Sequence, residues 1–271
     1  MSIRNLQHNP LVIGHRGASR EAPENTLAAF RLAFEQGADG VEADFRLTGD
    51  GAIVCLHDDS TGRTAGVDLT VQLATDEALR RLEVGSWKGE NWRGEPIPTL
   101  EQVLLALPAG KMLFIELKSG PQIIPRLAAT LAGAPVPPAA IRLLCFSAEL
   151  IRELKERLPA YRACWLTDYR FRGAWHPSPG QVLETLRQCR ADGLASRSRS
   201  ILEPSFVAAL RQEGREIHVW TVDAAREARR LCGLGVDSIM TNRPGWLRRS
   251  VAELAPTGAG TAAGALPGGG P

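Results

Sequence analysis

Short apolar runs alternate with amphipathic stretches along almost the whole chain. The first run, Leu11-Val12-Ile13, ends in Gly14-His15-Arg16-Gly17. Leu27, Phe30 and Phe34 then fall on one face of a helical repeat that Gly37 stops, with Asn25 as its expected N-cap. The pattern predicts further strands at 40–45, 52–56, 112–118, 141–146, 162–166, 192–195, 216–222 and 236–240. Between them it predicts helices at 75–82, from Thr99 onward, and at 122–131, 149–158, 181–189, 205–212, 223–231 and 245–254. Thr99 opens its helix with a capping box, Ser147 and Asp223 are expected caps, and Pro204 sits where a helix start tolerates proline. The run 112–115 is continuously apolar, as in a strand buried on both faces.

Strands alternating with helices imply a parallel α/β fold. A distorted (β/α)8 TIM barrel is the first expectation, and an open doubly wound sheet is the second. Nine strand candidates compete for eight places, and the weakest, 192–195, is set aside. Only residues 46–51 join the second and third runs. A hairpin is the usual outcome of so short a link. A hairpin, however, is expected to carry His57 to the far end of the sheet from Asp44. The link is therefore read as extended chain crossing back between parallel strands, which at ~3.3 Å per residue spans a barrel. Residues 59–98 form an excursion with Gly85, Trp87 and Trp92, read either as a flap or as a packed loop. Domain organisation is expected to be one barrel over 1–254 and a disordered Gly/Ala/Pro tail over 255–271.

Composition narrows the partners. The 271 residues carry a net charge of +2, with no basic stripe of the kind nucleic acid needs. The short run Ser196-Arg197-Ser198-Arg199 lacks interleaved aromatics and reads as a solvated loop. No apolar run approaches the ~20 residues of a membrane span, and the first nine residues hold no signal core. Five scattered cysteines without close spacing suit a reducing compartment, so a cytoplasmic location is expected. The oligomeric state is left open.

Chemistry concentrates at strand ends. Glu42 and Asp44 are two apart on a strand and share a face, as do Glu116 and Lys118. Three carboxylates from two strand ends make a hard oxygen site suited to one divalent metal, Mg²⁺ or Ca²⁺, and unsuited to structural zinc. His15 and His57 end two strands, each beside a charged residue, and can divide acid and base roles. Arg16 and Lys118 offer fixed cations for an anion. Such a set suits phosphoester hydrolysis. Trp220 shares a face with His218 and is read as a pocket wall or a packing residue, while His8, His176 and His218 keep structural readings.

At these residues the chain resembles the glycerophosphodiester phosphodiesterase family. The resemblance is carried by His-Arg-Gly at 15–17, Pro-Glu-Asn-Thr at 23–26, Gly-Ala-Asp-Gly-Val-Glu-Ala-Asp at 37–44, Thr-Gly-Asp-Gly at 48–51 and His-Asp at 57–58. It continues in Arg-Thr at 63–64, Ile-Pro-Thr-Leu at 97–100, Glu-Leu-Lys at 116–118 and Val-Trp-Thr-Val at 219–222. It implies a distorted barrel and metal-dependent hydrolysis of a small-molecule glycerophosphodiester to sn-glycerol 3-phosphate and an alcohol. By the same resemblance His15 and His57 are the acid/base pair, and Glu42, Asp44 and Glu116 hold the metal. Arg16 and Lys118 bind phosphate, and Trp220 lines the glycerol side. Asp223 and Asn242 depart from the family's usual Asn and Asp, and are not expected to touch the chemistry directly. Two rival functions remain: a lysophospholipase D acting on lipid diesters, with Trp87 and Trp92 facing lipid, and a non-catalytic phosphodiester-binding barrel.

Overall fold

The computed structural model describes residues 9–252. The expected tail and the last residues of the closing helix lie outside them. Strands β1 (Leu11–His15), β2 (Gly40–Leu47), β3 (Ile53–Cys55), β4 (Met112–Leu117), β5 (Ile141–Cys145) and β6 (Arg162–Thr167) lead the order. A short hairpin follows, β7 (Arg170–Phe171) with β8 (Trp175–His176). Then come β9 (Gly193–Arg197), β10 (Glu216–Trp220) and β11 (Ser238–Thr241). Eight of these pair in parallel in the order β1-β11-β10-β9-β6-β5-β4-β2, and β1 pairs with β2 to close the barrel.

Two expectations are corrected here. The weak run set aside is a barrel strand: β9 pairs with both β6 and β10. Its residues are small because space is short. A Cβ on Gly193 would meet the Glu216 carbonyl oxygen at 2.7 Å and Cys164 Sγ at 3.0 Å. The surplus strand is β3, which pairs antiparallel with β2 in a hairpin. His57 nevertheless stays near Asp44, because β2 overshoots. It runs on past Asp44 to Leu47, and β3 returns only to that level. There the Leu56 amide donates to the Asp44 carbonyl at 3.0 Å.

Side-chain parity sorts the interior. Ile13, Phe114, Leu144, Cys164, Leu166, Ala195 and Met240 fill the barrel. Their strand neighbours, such as Val12, Val41, Ala43, Leu113, Leu143 and Ile217, pack outward against the helices. The excursion has an apolar centre of its own, built from Val54, Leu56, Val71, Leu79, Val84 and Ile97. It is thus packed, with Val54 and Leu56 at β3 supplying part of that centre. No helix among the described residues is long and apolar enough to cross a membrane.

Candidate active site

Register brings the predicted residues together. β1 pairs with β2 so that His15 lies opposite Glu42, and β2 pairs with β4 so that Asp44 lies opposite Glu116. Parity turns Glu42 and Asp44 to the inner face while Ala43 faces out. After β1 the chain turns through a tight corner: Arg16 has φ 56° and Gly17 φ 84°. A Cβ on Gly17 would lie 2.6 Å from the Ala29 carbonyl carbon, so the corner rests directly on the helix Leu27–Glu35. That contact sets His15 and Arg16 at the barrel mouth. His57 is fixed from the other side, where Arg46 Nε and Nη2 donate to its carbonyl at 3.1 and 2.7 Å.

One cavity of about 320 Å³ opens at this end, and His15, Arg16, Glu42, His57, Glu116, Lys118 and Trp220 all line it. Asp44 lies beneath them, fully buried. Ligand-capable oxygens of Glu42, Asp44 and Glu116 fall within 4.8 Å of one another. Arg16 Nε is 3.0 Å from Asp44 Oδ2 and Lys118 Nζ 3.1 Å from Asp44 Oδ1, and Lys118 also pairs with Glu116. Two cations therefore face three carboxylates, and one negative charge is left over. Burial and then the Asp44 charge push Glu42 up to about 8. Burial, Asp44 and Glu42 push Glu116 up to about 7. Burial also opposes ionisation of Asp44, but Arg16 and Lys118 outweigh it and bring Asp44 down to about 2. Glu42 Oε1 has no hydrogen-bond partner among the described residues. A buried orphan oxygen in an under-compensated oxygen cluster fits a hard divalent cation.

A second ligand-capable group, Cys164, Glu216 and His218, lies inside the barrel. It has no such deficit. Arg142 Nε is 2.8 Å from Glu216 Oε2, and Arg162 pairs with Oε1. His218 Nδ1 lies 2.8 Å from Ser238 Oγ and its Nε2 3.3 Å from Glu216 Oε2. His218 is thus the buried structural histidine expected of it.

The two cavity histidines have unlike supports. His57 Nδ1 is 2.7 Å from Asp58 Oδ1, and Asp58 is paired with Arg63. Arg63 also pairs with Glu24, which accepts from Arg16 Nη1 at 2.9 Å, so one chain of charges links both histidine loops. His15 Nδ1 lies 2.8 Å from Asn242 Oδ1. Burial chiefly lowers both histidines from their ordinary value, and the Arg16 charge adds to this at His15.

Three expectations change at this site. Asn25 is not the helix cap, because Thr26 accepts the Ala29 amide. Asn25, with φ 60°, instead donates from Nδ2 to Asp44 Oδ2 at 2.9 Å and accepts the Asp44 amide. Asp223 does not cap its helix, which starts at Ala225 without a side-chain cap. Its carboxylate accepts from Thr241 and Asn242. Asn242, expected to stand clear of the chemistry, touches His15. Sequence reasoning also passed over Phe146 and Asp168, which line the cavity, and it misread Arg197 as part of a solvated loop, whereas Arg197 ends β9 and lines the cavity too. Each stands at the end of β5, β6 or β9, the rule that found the others. Phe146 meets Trp220 edge-on with ring centroids 5.8 Å apart, and Arg197 lies over the same indole. Trp87 and Trp92 do not line the cavity.

The profile of the glycerophosphoryl diester phosphodiesterase family matches residues 15–246. The chain belongs to that family. It is accordingly an enzyme, of the phosphoric diester hydrolase class. It is similar to a glycerophosphodiester phosphodiesterase of Caldanaerobacter subterraneus, with 34% identity over 86% of this chain and 94% of the relative. Among solved structures it resembles an Oleispira antarctica phosphodiesterase in complex with the product sn-glycerol-3-phosphate. There the identity is 27% and the TM-score 0.79, over 90% of this chain and 97% of the other. A glycerophosphodiester phosphodiesterase from Agrobacterium tumefaciens is 27% identical with a TM-score of 0.77, over 89% of this chain and 99% of that one. The family assignment removes the non-catalytic barrel from the rival readings.

Proposed function

We propose that the chain hydrolyses soluble glycerophosphodiesters to sn-glycerol 3-phosphate and an alcohol, with one divalent metal held by Glu42, Asp44 and Glu116. The observation that carries this reading is the pairing of the orphaned, under-compensated carboxylate cluster with two imidazoles in one cavity. A bound Mg²⁺ or Ca²⁺ would supply charge neutralisation at the phosphoryl oxygens. Arg16 and Lys118 add fixed positive charge for the phosphate, and Trp220 walls the glycerol side. One imidazole removes a proton from the nucleophile while the other delivers one to the leaving oxygen as the P–O bond breaks. The lowering by burial suits the imidazole that accepts a proton, while the one that delivers a proton must enter the step protonated, a form that Asp44 and Asp58 favour at His57. Five free cysteines suit a reducing, cytoplasmic setting. The product bound to the Oleispira protein supports the substrate class.

The lipid-diester reading draws its support from elsewhere than first expected. Leu144, Phe146, Leu166 and Met240 give the cavity an apolar wall, and Phe146 is 48% exposed. One assay separates the two readings. Release of the head-group alcohol from glycerophosphocholine, glycerophosphoethanolamine and a choline lysolipid is followed with EDTA, then with Mg²⁺ or Ca²⁺ restored, beside His15→Ala and His57→Ala. Metal-dependent turnover lost in both variants is expected. Turnover on a lysolipid but on neither soluble diester moves the assignment to the lipid substrate. Turnover surviving both substitutions overturns the mechanism.

A further inference from the structure

Asn242 is the residue that meets His15, and an amide can present either of two ends. Its oxygen accepts and its nitrogen donates, and the two differ little in shape. Which end faces the imidazole decides which ring nitrogen carries hydrogen. Asp223 removes the ambiguity. Its Oδ2 accepts from Asn242 Nδ2 at 2.6 Å, and its Oδ1 accepts from the Asn242 backbone amide at 2.9 Å and Thr241 Oγ1 at 2.7 Å. A carboxylate only accepts, so a flipped amide would set oxygen against oxygen. Asn242 Oδ1 must therefore face His15, and His15 Nδ1 must be the donor across the 2.8 Å contact. That leaves Nε2 as the nitrogen without hydrogen, on the cavity side and 3.9 Å from Glu42 Oε2.

We propose that Asp223 and Asn242 are a positioning pair that locks His15 in its Nδ1–H tautomer and presents bare Nε2 to the cavity as the proton acceptor. The inference rests on the reading of His15 as a proton-transfer group. Asp223 acts only through Asn242. A second observation agrees: the helix Ala225–Leu234 begins without a side-chain cap although Asp223 lies two residues ahead of it. The carboxylate is committed inward. Ser19 ties the loop to the same point, its hydroxyl set to donate to the His15 carbonyl at 2.7 Å with Asn242 Oδ1 a second acceptor 2.9 Å away.

The test uses the full chain, ¹⁵N-labelled at histidine and free of metal, at a pH where His15 is neutral. The His15 signals are assigned by their loss in His15→Gln. We expect a protonated-type Nδ1 and an unprotonated-type Nε2. Asp223→Asn, close in shape and suited to folding, frees the amide to flip and is expected to mix the tautomers. In turnover, Asn242→Ala is expected to lower kcat about tenfold or more, within the range of acid–base contributions, with KM nearly unchanged. Asp223→Asn is expected to fall between it and the native enzyme. The exchange Asp223→Asn with Asn242→Asp restores an acceptor facing Nδ1, and kcat should recover relative to either single variant. An Nε2–H tautomer in the native spectrum overturns the proposal. So does a loss in Asp223→Asn that the exchange does not recover, which would mark Asp223 as merely structural. The spectrum is independent of turnover: a His15→Ala enzyme that still turns over would overturn the role of His15 and leave the tautomer result standing.

Discussion

His57 and its orienting acid are consecutive residues. Asp58 Oδ1 meets Nδ1 at 2.7 Å while Arg63 holds the other oxygen, so the ring is aimed by a carboxylate that is itself fixed. Asp58→Ala removes that acceptor and leaves the imidazole free to turn. With the Asp58 side chain 30% exposed, the fold should stand. Steady-state kinetics should show kcat lowered about tenfold or more, as expected when a proton-transfer group is no longer aimed, with the thermal midpoint nearly unchanged. Unaltered kcat would mean that His57 needs no such support. Residue-scale legibility divides along the same lines. Glu42, Asp44 and Glu116 could be read because strand parity is a strict rule. Asn25 and Asp223 were misread because each precedes a helix, where capping is the commonest local use of such side chains. Their actual partners, Asp44 at 19 residues' separation and Asn242 at 19, are set by tertiary contact that no local rule encodes.

Among the elements, the corner at 14–17 is the most constrained. Gly17 combines φ 84° with helix backbone 2.6 Å from where a Cβ would stand, so neither the conformation nor the space admits a side chain. Gly17→Ala must either push the helix Leu27–Glu35 away or reopen the corner. Both displace His15 and Arg16. Thermal or denaturant unfolding should register a loss of about 2 kcal/mol or more, the range of incompatible glycine replacements and strained backbone. Turnover should fall further than stability alone accounts for. A variant as stable and as active as the native protein would show that the corner is not held by this contact. The two misread elements also have physical causes. β9 hides because a crowded barrel wall selects Gly and Ala over the β-branched residues that announce a strand. The β2–β3 hairpin misled because strand length, and not link length, decides where His57 arrives. Nothing local in Phe45-Arg46-Leu47 marks the overshoot beyond the barrel rim.

Across the whole molecule, charge is compensated within the lower barrel and left short at its mouth, and that contrast dictates how stability should depend on pH and metal. Around Glu216, burial opposes ionisation, but His218 and Arg142 outweigh it and hold the carboxyl well below its usual range. It stays ionised through neutral pH and adds nothing to the pH dependence there. At the mouth the direction is reversed. Glu42 and Glu116 rise from 4.5 to about 8 and about 7, so the metal-free fold prefers them protonated. In the unfolded chain they ionise near 4.5. The folded state therefore binds more protons between those limits, and stability present below pH 4.5 is lost as pH climbs through 7 and 8. A divalent cation competes for the same oxygens and needs them deprotonated. Its binding should release protons near neutral pH, and its apparent affinity should increase from about pH 6 to about pH 8. The thermal midpoint gained on adding saturating Mg²⁺ or Ca²⁺ should accordingly be larger at about pH 8 than at about pH 6. Calorimetric titrations in buffers of different ionisation enthalpy should count the released protons directly. Glu42→Gln should abolish most of both effects while sparing the Glu216 cluster. Metal uptake without proton release, or a midpoint gain equal at the two pH values, would mean that the mouth carboxylates are already ionised. The metal-free fold would then hold the excess negative charge without protonating Glu42 or Glu116.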